Sequence, residues 1–337
     1  MKNHIFIIEY RDTGRKKKPS YPNSFKKGEF YTSKRLCGVE IEAVKSNIIR
    51  LTKVKNTIPT KDWVLKNIGN LYERSTIDDD FIEQDIERSN DFYKRLREVD
   101  YNVSYSQDAG GIEIQTPAVS GKKFEENILG FCDILNEYKF KGTNSCGGHI
   151  HLDLNLDYDI DKLVRLADFY IGFENWIYKV LPEWRRKSSW CNPILKDKSS
   201  ILQSIKEIKK EEDNKLNLFS TTWNQKVGCG KYYGFNLNFY LNSNANRHLE
   251  LRYLEGTTNP YDFIHWASVH SSALDFVSKN SESINGRKLL DEITDAMQRN
   301  KTFYFHNRTI LNELGVHKET VKHFIKRYLK FKLTNNK

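Results

Sequence analysis

The sequence predicts an α+β chain in which short strands, separated by helices, meet in one sheet. Two patterns carry this expectation. Apolar and polar residues alternate with the two-residue period of strands over residues 36–43 (LCGVEIEA), 112–116, 148–154 (GHIHLDL) and 248–254. The segments 78–98, 122–138 and 159–181 instead carry the apolar spacing of helices. Strands spread this widely need a common sheet, backed by the helices, to bury their apolar sides.

Each element follows from local chemistry. The helix over 78–98 has Phe81, Ile82, Ile86, Phe92 and Leu96 as its apolar side. Strands over 101–106 and 112–116 flank Asp108-Ala109-Gly110-Gly111, a hairpin-type turn. The helix over 159–181 stops before Pro182. Residues 196–215, rich in Lys and Glu, read as an exposed helical excursion. Residues 232–241 read as one more strand, and helical patterns cover 260–279, 287–299 and 318–332. The expected organisation is a strand-like start and basic arm over 1–30, a main domain over 31–280 and a C-terminal helical segment over 281–337.

Composition narrows the class. A chain of 337 residues with 13% aromatics, 19 Phe and 18 Tyr among them, can build a sizeable core and is not a disordered polymer. It holds no run of about 18 apolar residues, so no membrane-spanning helix is expected. The apolar run at residues 5–8 is too short for a secretory signal. Five cysteines (Cys37, Cys132, Cys146, Cys191, Cys229) include no CxxC pair, which argues against a zinc ribbon or a disulfide framework and for reduced thiols in a cytoplasm. The net charge of +10 is dispersed, and its one dense run is Arg15-Lys16-Lys17-Lys18. A solvated tail explains that run, and contact with a phosphate-rich partner such as nucleic acid is the alternative.

Four strand motifs bear chemistry. Glu40-Ile41-Glu42 sets two carboxylates on one strand face, where their repulsion would be relieved by a divalent cation. Glu113 sits in Ile112-Glu113-Ile114-Gln115-Thr116-Pro117, just after the glycine turn. Gly147-Gly148-His149-Ile150-His151 puts two imidazoles on one face, able to ligate a metal or meet phosphate oxygens. His248, Glu250 and Arg252 share a face of the last strand while Leu249 and Leu251 take the other. Each motif alone has a bland reading as a solvated strand, a surface histidine pair or a plain ion pair. Together they line a sheet face with acids, histidines and an arginine, a setting suited to metal-bound polyphosphate.

This order of motifs resembles the amidoligase branch of the glutamine synthetase and γ-glutamylcysteine synthetase superfamily. The resemblance spans about 35–275 and rests on Glu40-Ile41-Glu42, Glu113 to Pro117, Gly147-Gly148-His149, Glu250-Leu251-Arg252, Leu237-Asn238 and Glu255-Gly256-Thr257. It implies a glutamine synthetase-like catalytic domain with a curved, mainly antiparallel sheet lined with acidic residues. It implies ATP and Mg2+ (or Mn2+) as cofactors. Glu42 and Glu113, with Asp108 as a second acid in the hairpin, would hold one metal; Glu40, His149 and Glu250 would hold the other. Arg252, Lys231 and His151 would meet the nucleotide phosphates, with Arg252, Arg247, Lys231 and His151 as the catalytic set. Lys231 stands where the pattern has an arginine, and a point charge lacks the bidentate fork.

The implied reaction phosphorylates a carboxylate with ATP and lets an amine displace phosphate, forming an amide or isopeptide bond. The partners would be a carboxylate and an amine on a small molecule, a peptide or a protein side chain. The excursion at 196–215 or the segment from Trp184 to Trp190 would serve as a lid. Two alternatives stay open: a phosphagen-type kinase on the same fold, and a nucleic-acid or partner-binding protein on a degenerate ligase fold, with a helix-turn-helix around 311–329.

Overall fold

The structure, a computed structural model, describes residues 30–44, 79–108, 111–154, 157–194, 219–221, 223, 232–242, 247–280 and 310–334. The expected arm, the excursion over 196–215, the helix over 287–299, the turn residues Ala109 and Gly110, Cys229 and Lys231 all lie outside the described residues.

Six strands make one antiparallel sheet: β1 (Cys37–Ala43), β2 (Ser104–Asp108), β3 (Gly111–Gln115), β4 (Gly147–Asp153), β5 (Phe235–Asn236) and β6 (His248–Glu255). Their spatial order is β2-β3-β1-β4-β6-β5. The helices are α1 (Asp79–Val99), α2 (Gly121–Glu137), α3 (Ile160–Ile177), α4 (Glu183–Arg186), α5 (Asn238–Asn242), α6 (Pro260–Lys279) and α7 (Lys318–Thr334). The α+β class therefore holds.

Alternation decides which face is which. Val39, Ile41, Ile114, Ile150, Leu152, Leu249 and Leu251 are almost wholly buried and form the apolar side of the sheet. Helix α6 packs on β4 and β6, with α2, α3 and α7 against it. Fully burying such a side chain is worth about 1.5–3 kcal/mol, so this layer fixes the pairing register. Asp159 starts α3 by accepting from the Lys162 N–H at 2.8 Å, and Asn259 starts α6 with Pro260 as first helical residue.

The expected strand over 232–241 is overturned in its second half. Only Phe235–Asn236 pairs in the sheet, and α5 follows at once. Asn236 Oδ1 accepts the Asn238 N–H at 2.9 Å, so the side chain turns the backbone out of the ladder. The alternation of Phe235, Leu237 and Tyr240 serves one helical turn as well as a strand.

Helix α7 belongs to the same core. Phe324 lies 5.1 Å from the Trp176 ring and 5.0 Å from Trp266, centroid to centroid. Arg327, 6% exposed, donates to Asp262 Oδ1 at 3.0 Å and Glu255 Oε2 at 2.5 Å. A turn and a helix do occupy the region of the expected helix-turn-helix, but Phe324 and Arg327 face the body of the protein. Among the described residues no helix is long and apolar enough to cross a membrane. Cys37, Cys132, Cys146 and Cys191 are buried free thiols.

Two buried histidines give the core a pH limit. His270 stacks between Trp266 and Tyr253 and meets the Tyr170 hydroxyl at 2.8 Å. Burial pushes its pKa down to about 3. Burial, then the neighbouring His323, push His265 down to about 2, against the opposing pull of Asp262. A histidine with a depressed folded pKa is protonated only on unfolding, so its stability contribution is present above the unfolded pKa near 6.5 and is lost as pH falls. Each should cost up to about 1.4 kcal/mol per pH unit below that point. Urea midpoints should fall between pH 7 and pH 5, and His270→Gln should flatten the slope; equal slopes for the two proteins would refute this account.

Candidate active site

The register carries the polar residues to one face. Glu40 pairs with Gln115 on one side and His149 on the other, and Glu42 pairs with Glu113. His151 pairs with Glu250, and Glu250 with Asn236. Alternation then places Ser104, Ser106, Glu113, Gln115, Glu40, Glu42, His149, His151, Glu250, Arg252 and Asn236 on the side opposite the apolar layer.

His149 is the hub. Its Nδ1 lies 2.6 Å from Glu40 Oε2 and 3.6 Å from Glu250 Oε1, and its Nε2 lies 3.5 Å from Glu42 Oε1. His151 Nε2 is buried and approaches Glu40 Oε1 at 3.4 Å, longer than a good hydrogen bond. Arg252 Nη1 donates to Glu250 Oε1 at 2.5 Å, and Asn236 Nδ2 donates to Glu250 Oε2 at 2.5 Å. Arg252 Nε is buried without a partner. Glu42 accepts from the Gly147 N–H at 2.5 Å, and Glu113 from Gln115 Nε2 at 2.7 Å.

Electrostatics divides the carboxylates. Burial alone would raise Glu40, but His149 and His151 outweigh it and hold the carboxyl well below its ordinary range. Burial likewise opposes ionisation of Glu250, and the charges of Arg252, His149 and His151 bring it below its usual value. Glu113 is raised, by burial and then by the nearby charge of Glu40. A dication would relieve that repulsion. One ligand atom each from Glu40, His149 and Glu250 lie within 4.8 Å of one another, a set of oxygens and an imidazole that fits a metal ion.

Other expected residues stand elsewhere. Asp108 ends β2, with its side chain outside the described residues. Arg247 precedes β6 and lies over the Tyr240 ring at 5.2 Å. Cys146 is buried near Thr143 Oγ1 at 3.3 Å.

Two residues escaped the sequence reading. Asn236 is 3% exposed and bound to Glu250; its signal was the Phe-Asn-Leu-Asn run, of which only Leu237-Asn238 enters the family resemblance. Arg185 is 4% exposed and comes from the four-residue helix α4, where no periodicity marks it. The β4–β6 register slips between Gly148 and Ile150, so that Arg252 and Tyr253 together oppose His149 in a bulge. Arg185 donates to both bulge carbonyls, at 2.5 Å to Arg252 and 3.3 Å to Tyr253. Gly147 makes room for this fork: a Cβ there would meet Arg185 Nη2 at 2.9 Å and His149 Nε2 at 3.0 Å. The segment from Trp184 to Trp190, expected as a lid, is thus tethered to β6 through Arg185.

Over residues 33–270, well over half of the chain, the sequence matches the family described as "Putative amidoligase enzyme". The chain belongs to this amidoligase family. The match runs from just before β1 into α6 and so contains every strand of the sheet. Membership makes the protein an enzyme of the ligase type. Among curated proteins, none matches this amidoligase.

Arg185 gives the site a testable support. Arg185→Met keeps most of the buried bulk and leaves two bulge carbonyls without their donor. It should lower unfolding free energy in urea by about 1–3 kcal/mol, and Arg185→Lys by less. Unchanged urea midpoints in both variants would show that the bulge does not depend on the guanidinium.

Proposed function

We propose that this amidoligase is an ATP- and Mg2+-dependent carboxylate–amine ligase, on a glutamine synthetase-like fold, that works through an acyl phosphate. The observation that carries the reading is a mixed set on one sheet face: four carboxylates (Glu40, Glu42, Glu113, Glu250) beside two buried nitrogens without a good hydrogen bond, His151 Nε2, which has only a long contact to Glu40, and Arg252 Nε. Buried polar atoms are ordinarily satisfied, and an oxyanion would satisfy both. Carboxylates that hold a cation next to donors that hold an anion suit a metal–polyphosphate pair.

Glu40, His149 and Glu250 would hold one metal ion, and Glu42 and Glu113 a second. Bound there, Mg2+ supplies charge neutralisation for the polyphosphate. Arg252 is pinned through Nη1 to Glu250 and keeps Nε for an oxygen of the transferred phosphoryl group. His151 adds a second donor on the same face. Asn236 and Arg252 hold both oxygens of Glu250, so this carboxylate is oriented before any ligand arrives. In the first step a substrate carboxylate oxygen attacks the γ-phosphorus and ADP leaves. In the second the amine attacks the acyl carbon, phosphate leaves and the ammonium proton passes to solvent or a nearby base. The substrates would sit on a small molecule, a peptide or a protein side chain.

Glu250→Gln and Arg252→Lys test the assignment. Both keep the side-chain size, and melting curves establish the folded fraction in which turnover is compared. Turnover of ATP with carboxylates and amines, followed by ADP release and mass spectrometry of the product, should vanish in Glu250→Gln. It should fall on the order of 10²-fold or more in Arg252→Lys, where the bidentate geometry is lost. Near-normal turnover in both would defeat the assignment.

The leaving group is a separate test. ADP and phosphate are expected in equal amounts with the amide. Stoichiometric pyrophosphate would mean adenylation instead, and a phosphorylated guanidinium with no amide would mean a phosphagen-type kinase.

A further inference from the structure

The polar face continues past the carboxylates to the start of β6, where it becomes aromatic. His248 lies on the face of Glu250 and pairs with Asp153 of β4. The Phe239 ring of α5 stacks on His248, with centroids 4.3 Å apart and planes within 24°. Both rings stand against His151, at 5.8 Å from Phe239 and 5.0 Å from His248, each edge-on. One imidazole therefore touches the aromatic pair on one side and Glu40 on the other.

Phe239 is 41% exposed, while Phe235, Leu237 and Tyr240 around it are at most 5% exposed. A single exposed apolar residue is unremarkable by itself. This one has one face packed on His248, keeps open surface, and lies 5.8 Å from the ring of His151, whose Nε2 is buried with only a long contact to Glu40. Its placement is also coupled to the site. Asn236 donates to Glu250 and, through Oδ1, begins the turn of α5 that carries Phe239.

We infer that Phe239 and His248 form a stacking platform for a planar heteroaromatic ring, the base of the nucleotide whose phosphates His151 and Arg252 meet. The inference rests on the nucleotide-dependent reading given above. Stacking suits this occupant because a base offers a π-face at one end of the molecule and anionic phosphates at the other. The surface is arranged in the same sequence: an aromatic pair, then the His151 imidazole, then the carboxylates and Arg252.

The test compares ATP with inorganic tripolyphosphate, which has the charge and no base, by calorimetric titration of the full chain in Mg2+. Phe239→Ala should weaken ATP about 10-fold or more and leave tripolyphosphate within about twofold. Phe239→Leu, which keeps an apolar side chain and removes the ring, should behave alike, and Phe239→Tyr should restore ATP binding. Melting curves establish that the variants fold. Parent-like ATP affinity in the folded Ala or Leu variant would overturn the platform and leave the nucleotide reading standing. Equal losses for ATP and tripolyphosphate would also overturn it, since the ring would then support the site generally. A parent protein that binds tripolyphosphate but gains nothing from the base would overturn it too, and one that binds neither would sink the nucleotide reading with it.

Discussion

Glu40 faces His149 across the β1–β4 ladder, and the rest of the site is arranged about that pairing. Register is a binary choice in a sheet: a slip by one residue would turn Glu40, Glu42, His149 and His151 into the helices and Val39, Ile41 and Ile150 out to the polar side. The apolar layer under α6 makes that slip prohibitive. The same layer forces a cluster of carboxylates onto the opposite face, where Glu42 and Glu113 stand directly across from each other. Like charges so placed are unfavourable. The core therefore stabilises a face that electrostatics alone would not assemble, and the strain appears at Glu113, whose ionisation burial and Glu40 both oppose.

Partial compensation is built from the protein's own groups. His149 and His151 stabilise ionised Glu40, Arg252 and Asn236 take Glu250, and the Gly147 N–H takes Glu42. Among the described residues Glu113 receives a neutral amide from Gln115 and the more distant charge of His149, which burial and Glu40 outweigh. The compensation is thus strongest at the β4–β6 side and weakest toward β3. A bulge at the strong side makes Arg252 and Tyr253 share His149 as neighbour, and the buried Arg185 fork holds that irregularity in place.

Much of this was legible from residue order alone, because strand alternation is a local signal. The faces of β1, β4 and β6 follow from reading every second residue, and with them the common placement of Glu40, Glu42, His149, His151, Glu250 and Arg252. What failed was whatever depends on a side chain's own hydrogen bonds rather than on alternation. Asn236 ends a strand because its side chain competes for the Asn238 N–H, an interaction invisible to hydropathy. Arg185 is one of two arginines in a four-residue helix, and only the bulge 67 and 68 residues away gives it a role. Arg247, just ahead of β6, packs over the Tyr240 ring, a contact that strand alternation does not announce.

Helix α7 lies beyond the family match, yet it is fastened to the strand that carries Glu250 and Arg252. Arg327 bridges Glu255, the last residue of β6, and Asp262, in the first turn of α6. Glu255 and Asp262 offset the burial of that guanidinium and raise its affinity for the proton, so the helix carries a fixed charge into the core. Removing one member of such a trio leaves the others buried and uncompensated, which costs more than the intact network contributes. Thr257 joins it by donating to Asp262, which draws in the Glu255-Gly256-Thr257 motif. That motif is therefore explained by anchoring: it ends β6 at a point held from above by α7, while the bulge at Arg252 and Tyr253 is held by Arg185. These two arginine clamps hold the strand from Arg252 to its end, so Arg252 is presented to the carboxylate face by a backbone held at its own carbonyl and again at Glu255.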